Sequence, residues 1–125
     1  MIQLPCAVGI MAHNEETNIG QLLQTLLDQE LHSAELRSLI VVASGCTDNT
    51  EDIVRQFARR DARVRLLVQD KREGKASAIN LFLGQAQEEV LVLSSADLQL
   101  EPDTLEKLVA PFRDPEIGIT ACRPV

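Results

Sequence analysis

Four apolar, β-like runs alternate with amphipathic helical stretches along this chain, and that alternation constrains its fold more than any other feature. The runs are Cys6-Ala7-Val8-Gly9-Ile10-Met11, Leu39-Ile40-Val41-Val42, Val64-Arg65-Leu66-Leu67-Val68 and Val90-Leu91-Val92-Leu93. Short apolar runs of this kind suit strands buried on both faces. From about Asn18, Ile19, Leu22, Leu23, Leu26 and Leu27 recur at the spacing of one helical face. The next stretch turns Ile53, Val54 and Phe57 inward and Arg55, Arg59 and Arg60 outward, and the third carries Ile79, Phe82, Leu83 and Ala86 on one stripe. Pro102 suits a first helical turn, with Leu105, Leu108, Val109 and Phe112 behind it. Ile117-Gly118-Ile119-Thr120-Ala121 reads as a fifth strand. Parallel strands need crossovers, and crossover helices cover both faces of the sheet. The expected fold is therefore α/β: a Rossmann-like, three-layer α/β/α domain over residues 1–125, with a mostly parallel sheet in the order 3-2-1-4. Its topological switch point falls between strands 1 and 4.

Composition narrows the partners. The formal charge of −7 leaves no excess of Lys and Arg for a nucleic-acid backbone, although a nucleotide needs only local positive groups. No apolar run reaches the length of a membrane span, and Met1-Ile2-Gln3-Leu4-Pro5 lacks the pattern of a secretory signal. Cys6, Cys46 and Cys122 are odd in number and widely spaced, which argues for reduced thiols and a cytoplasmic setting rather than a zinc site or disulfide framework. Cys46 reads as a small turn residue.

In such a sheet, ligands bind beyond the carboxyl ends of the strands. Four segments fall there: Ala12-His13-Asn14-Glu15-Glu16, Ala43-Ser44-Gly45-Cys46-Thr47-Asp48, Gly74-Lys75 and Ser95-Ala96-Asp97. His13 can stack on a base or contact a ribose, and Glu15 can accept from hydroxyls. Asn14 and Glu15 can equally serve the turn and helix start. Thr47, Asp48, Asn49 and Thr50 are each able to cap the second helix. Lys75 puts a cation at a helix start, where an anion would offset the helix dipole, but the phosphate-loop pattern is absent. Asp97 can help hold Mg²⁺ or Mn²⁺ once substrate phosphates and water complete the shell; it can also simply make a turn. Asp103 and Glu106 are expected to serve the first turn of the fourth helix.

Taken together, these segments resemble the amino-terminal half of the family 2 glycosyltransferases, which have the GT-A fold. Val8 to Glu16 is similar to the family's first-strand signature ending in P-x-Y-N-E-E, and Ile40 to Thr50 resembles V-V-D-D-G-S-T-D-x-T. Gly74 to Asn80 is similar to G-K-x-x-A-L-N. Ser95-Ala96-Asp97 followed by Pro102-Asp103-Thr104-Leu105 is similar to D-A-D followed by P-D-x-L. The resemblance implies transfer of a sugar from a nucleoside diphosphate donor, commonly UDP-linked, to an acceptor hydroxyl in cell-envelope polysaccharide synthesis. It places Ala12, His13 and Glu15 at the nucleoside, Lys75 near the donor, Ser44 and Ser95 at nucleotide-sugar-binding positions, and Asp97 on the metal, Mg²⁺ or Mn²⁺.

Three departures stand out. Ala43 and Ser44 occupy positions where the family often has Asp, one of which reads uracil. Ser95 replaces the first Asp of D-x-D, and Met11 replaces a Pro. The resemblance covers only a donor-binding half. The acceptor half and its catalytic carboxylate are unmatched, so the chain alone is expected to have little transferase activity, with membrane attachment only through segments absent here. Apolar surface left uncovered by that half predicts self-association. A nucleotidyltransferase would show a Gly-rich, basic first loop, which His13-Asn14-Glu15-Glu16 is not. A non-catalytic sugar-nucleotide-binding or interaction domain is the alternative that the Ala43 and Ser95 replacements support.

Overall fold

The computed structural model describes residues 3–71, 74–97 and 99–113. Its elements are β1 (Leu4–Ala12), α1 (Ile19–Leu27), β2 (Ala34–Ser44), α2 (Thr50–Arg60), β3 (Val64–Gln69), α3 (Lys75–Gln85), β4 (Val90–Ser95) and α4 (Thr104–Val109), followed by a 3₁₀ turn over Ala110–Arg113. All strand pairs are parallel, and the sheet order is β3-β2-β1-β4. The expected fold class and strand order hold. The fifth strand expected over Ile117 to Ala121 lies outside the described residues.

Side chains alternate across the sheet and build two cores. On one face Val8, Ile10, Leu39 and Val41 pack with Leu23 and Leu26 of α1, Val54 of α2, and Leu105 and Val109 of α4. On the other, Ala7, Ile40 and Val42 pack with Ala78 and Phe82 of α3. Gly9 makes that second contact possible: a Cβ there would lie 2.7 Å from the Phe82 ring. No helix of the described residues is long and apolar enough to cross a membrane.

Several local expectations need correction. Leu83 is 45% exposed, not part of the α3 core stripe, and Leu91 and Leu93 of β4 are exposed on the same side of the sheet as Gly9. The cause is the seat of α3: Ala78 and Phe82 centre it over β1 and β2, so that among the described residues the β4 side is left uncovered. β2 begins five residues before Leu39, because Ala34, Glu35 and Leu36 pair with Leu4, Pro5 and Cys6 ahead of a register shift between Cys6 and Ala7. Pro102 precedes α4 rather than opening it, and its carbonyl accepts the Glu30 N–H at 2.8 Å.

Glu106 also does something other than serve its own helix. Its carboxylate accepts the backbone N–H groups of His32, Ser33 and Ala34 at 2.9–3.1 Å, tying α4 to the start of β2. Burial pushes its pKa up, but those three donors outweigh burial and hold it below the ordinary glutamate value. Asp103 sits at the N-cap position of α4 without a side-chain cap bond and pairs with Lys107 at 3.2 Å.

Candidate functional site

Strand register brings the four segments to one edge. Met11 lies level with Ser95, Ala12 with Ala43, and Ser44 with Gln69, so all four strands end together. Three strand spacings separate the β3 end from the β4 end, a rim of about 14 Å. His13, Glu15, Ser44, Lys75 and Asp97 all follow strands at this edge or end them.

The β1 and β2 loops are tied to each other. Asn14 adopts a left-handed backbone, φ 51°, and its Oδ1 accepts the N–H of Thr47 at 2.8 Å and of Asp48 at 3.4 Å. Asn is among the few residues that tolerate this conformation. Glu16 N–H donates to Asp48 Oδ2 at 3.2 Å, and the Glu16 carboxylate accepts the Asn49 N–H at 3.1 Å. Glu15 N–H donates to Thr50 Oγ1, whose own proton goes to Asp48 Oδ1 at 2.5 Å. None of the four candidate caps caps α2 from the N-cap position: Asn49 stands there without a side-chain bond, while Asp48 also accepts the Thr50 N–H. Burial opposes ionisation of Asp48, but the bonds from Thr50 and the backbone prevail and lower its pKa.

Within this frame Ala12 is buried, its side chain in the core and its carbonyl 3.7 Å from the Cys46 thiol. His13 Nδ1 lies 2.7 Å from the Ser44 carbonyl. A carbonyl only accepts, so Nδ1 carries the proton, and Nε2 of the neutral ring is left as an acceptor. The Glu15 carboxylate accepts from Asn18 Nδ2 at 3.2 Å.

Ser44 is nearly buried; its hydroxyl donates to Gln69 Oε1 at 2.6 Å, and Gln69 Nε2 donates to Ser77 Oγ at 3.0 Å. Gly74, φ 95°, precedes α3, where a backbone of that sign suits glycine. Lys75 opens the helix, exposed and without an ion pair among the described residues.

At the β4 end the side chains are less engaged. The Ser95 carbonyl accepts from Ser94 Oγ at 3.1 Å. Asp97 is exposed and lines a cavity of about 250 Å³ with Asn18, Gln21, Leu22, Thr25, Gln99 and Leu100. The chain beyond it is anchored by buried Gln29, whose Oε1 accepts the Leu105 N–H and whose Nε2 donates to the Glu101 carbonyl, each at 2.9 Å. Among the described residues no group of three His, Cys, Asp or Glu side chains could hold a metal ion. Asp97 supplies one hard oxygen. That fits Mg²⁺ or Mn²⁺, which are bound through one or two carboxylates when substrate phosphates and water provide the rest.

Gln69, Ser77 and Gln29 escaped the sequence reading. A polar residue closing an apolar strand beside a loop, as Gln69 does, was the available signal for the first.

Residues 7–125 match the family described as Glycosyl transferase family 2. The chain belongs to that family. Among solved structures, this family 2 chain is similar to the mannosyltransferase PcManGT from Pyrobaculum calidifontis in complex with GDP-Man and Mn²⁺. The identity is 30% and the TM-score 0.80, over 94% of this chain and 34% of that one. It is similar also to TarS of S. aureus, residues 1–349, in complex with UDP: 26% identity and TM-score 0.75, over 90% of this chain and 32% of that one. A curated relative, the undecaprenyl-phosphate 4-deoxy-4-formamido-L-arabinose transferase of Proteus mirabilis (strain HI4320), is 30% identical over 83% of this chain and 32% of its own length. This family 2 chain thus spans about a third of the length of each of these three proteins.

Proposed function

We propose that these 125 residues form the donor-binding part of a glycosyltransferase that moves a sugar from a nucleoside diphosphate, a UDP-sugar by the motifs, to an acceptor hydroxyl. The observation that carries this reading is the shared rim: His13, Ser44, Lys75 and Asp97 stand along the carboxyl edge of a 3-2-1-4 sheet, around its switch point. The base and ribose occupy the β1–β2 end, with His13, Ser44 and Glu15 and the backbone of Ala12. The diphosphate runs toward Lys75, Ser95 and Asp97. In the reaction the bond between the sugar's anomeric carbon and the phosphate oxygen breaks, the acceptor oxygen bonds that carbon, and the acceptor proton passes to a base. Asp97 would hold Mg²⁺ or Mn²⁺, which when bound stabilises charge on the departing diphosphate. The GDP-Man, UDP and Mn²⁺ present in the similar structures support this assignment.

Calorimetric titration of the chain with UDP and GDP, with and without Mn²⁺, tests it. Binding that strengthens about tenfold with Mn²⁺, and loses that gain in Asp97→Ala, is expected from one carboxylate ligand. No binding of any nucleoside diphosphate at millimolar concentration would overturn the reading. A second reading, a non-catalytic sugar-nucleotide-binding or interaction domain, draws support from Ala43 and Ser95 standing where the family often has Asp. Nucleotide binding indifferent to Mn²⁺ would favour it.

A further inference from the structure

The hydrogen bonds at the ends of β2 and β3 assign a direction to the Ser44 hydroxyl proton. An amide oxygen has no proton to give, so at 2.6 Å the Ser44 hydroxyl donates to Gln69 Oε1. The other half of the amide points the opposite way, donating to Ser77 Oγ at 3.0 Å on the first turn of α3. Parallel register sets Ser44 and Gln69 side by side, so this contact follows from the sheet itself. The Ser44 carbonyl is taken as well, by the His13 ring at 2.7 Å. What Ser44 retains for a ligand is lone pairs on Oγ. With only 7% of the residue exposed, water has little room to substitute for a mismatched partner.

Nucleobases differ at the centre of their pairing edge. Uracil N3 and guanine N1 carry a hydrogen; cytosine N3 and adenine N1 carry a lone pair. An acceptor therefore takes the first two and opposes the second two. A carboxylate is such an acceptor unaided, whereas a serine hydroxyl becomes one only when its proton is committed elsewhere.

We propose that Gln69 is a positioning residue that, by taking the Ser44 hydroxyl proton, makes the base end of the site select uracil or guanine over cytosine or adenine. The proposal rests on the donor-site reading above, which puts Ser44 at the base.

Equilibrium titration of the full chain with UDP, GDP, CDP and ADP, in wild type and variants, decides it. The better of UDP and GDP should bind about tenfold tighter than CDP or ADP, the discrimination expected where a mismatch leaves a buried polar group unpaired. Gln69→Leu frees the Ser44 proton and should bring that ratio to about threefold or less. Gln69→Glu keeps an acceptor facing Ser44 and should preserve it. If Gln69→Leu fails to fold, judged by circular dichroism, Ser44→Ala must lower the same ratio. The proposal is overturned by equal binding of all four nucleotides to wild type, by a ratio unchanged in Gln69→Leu, or by weakening of all four to the same degree. It is overturned equally by loss of the ratio in Gln69→Glu, which would mean that Ser44 accepts from the Gln69 amide. Failure of wild type to bind any of the four instead removes the donor-site reading.

Discussion

The two ends of the rim are built on different plans. Where β1 and β2 end, Asn14, Glu15, Glu16, Asp48 and Thr50 exchange hydrogen bonds between two loops, His13 is held by a backbone carbonyl, and Ser44 is fixed through Gln69. Where β4 ends, Asp97 stands exposed beside a cavity, and the anchors that follow it in sequence grip α4 and its lead-in rather than Asp97 itself: Gln29 holds Glu101 and Leu105, and Glu106 bonds the start of β2 at the opposite edge of the sheet. The contrast separates what the protein organises in advance from what it leaves for a ligand to complete. Polar groups fixed before binding cost no reorganisation when the ligand arrives. A divalent ion that draws ligands from substrate phosphates has no finished shell until the substrate is present.

The contrast breaks first at Thr50. Its side chain is fully buried, and its hydroxyl serves both Glu15 N–H and Asp48. Thr50→Val keeps the shape, takes the acceptor from the Glu15 N–H and removes one of the donors to Asp48, so urea unfolding should register a loss of about 2 kcal/mol. A loss below about 0.5 kcal/mol would mean the loops are held by something other than this exchange. Asp97→Ala is the counterpart. It should change unfolding stability by less than about 0.5 kcal/mol, since it removes an exposed side chain. Its effect should fall on the Mn²⁺-dependent part of nucleotide affinity, about 1.4 kcal/mol for the tenfold gain. Equal destabilisation by the two substitutions would erase the distinction between the ends.

Periodicity made the architecture legible because short apolar runs and helical stripes report burial directly: the strand cores, α1, α2 and the 3-2-1-4 order follow from residues such as Val8, Ile40, Leu23 and Val54. It misjudged Leu83, because a stripe says which side of a helix is apolar and not where along a sheet the helix will sit. Phe82 settling on Gly9 decides that, and the pair is 73 positions apart in sequence. The rim positions of His13, Ser44, Lys75 and Asp97 were legible for the same topological reason. Their hydrogen-bond partners were not. Gln69 meets Ser44 only through strand register, and Glu106 meets His32, Ser33 and Ala34 only once α4 has packed. Local pattern assigned Glu106 to its own helix turn because a first-turn acid normally has that use.

The smallest expected effect compares the tied loops with the α4 anchor through acid. Asp48 belongs to the tied loops and Glu106 holds α4, and each carboxyl titrates below its ordinary value because hydrogen bonds to the ionised form outweigh the cost of burial. A carboxyl that binds its proton less readily folded than unfolded stabilises the fold above its unfolded pKa, and that contribution drains away as pH falls through the folded value. The ordinary values are 3.8 for Asp48 and 4.5 for Glu106, so the loss at Glu106 should start at higher pH. Urea midpoints measured from about pH 6 to about pH 3 should therefore show the gap between wild type and Glu106→Gln closing before the gap for Asp48→Asn. Because both groups are partly open to solvent, each gap is expected to be below about 1 kcal/mol. A gap that widens on acidification would reverse the sign and show that the neutral carboxyl is the better partner at that position. Gaps that close together would mean that the two carboxyls lose their hydrogen-bonded advantage over the same pH range, against the order expected from their ordinary values.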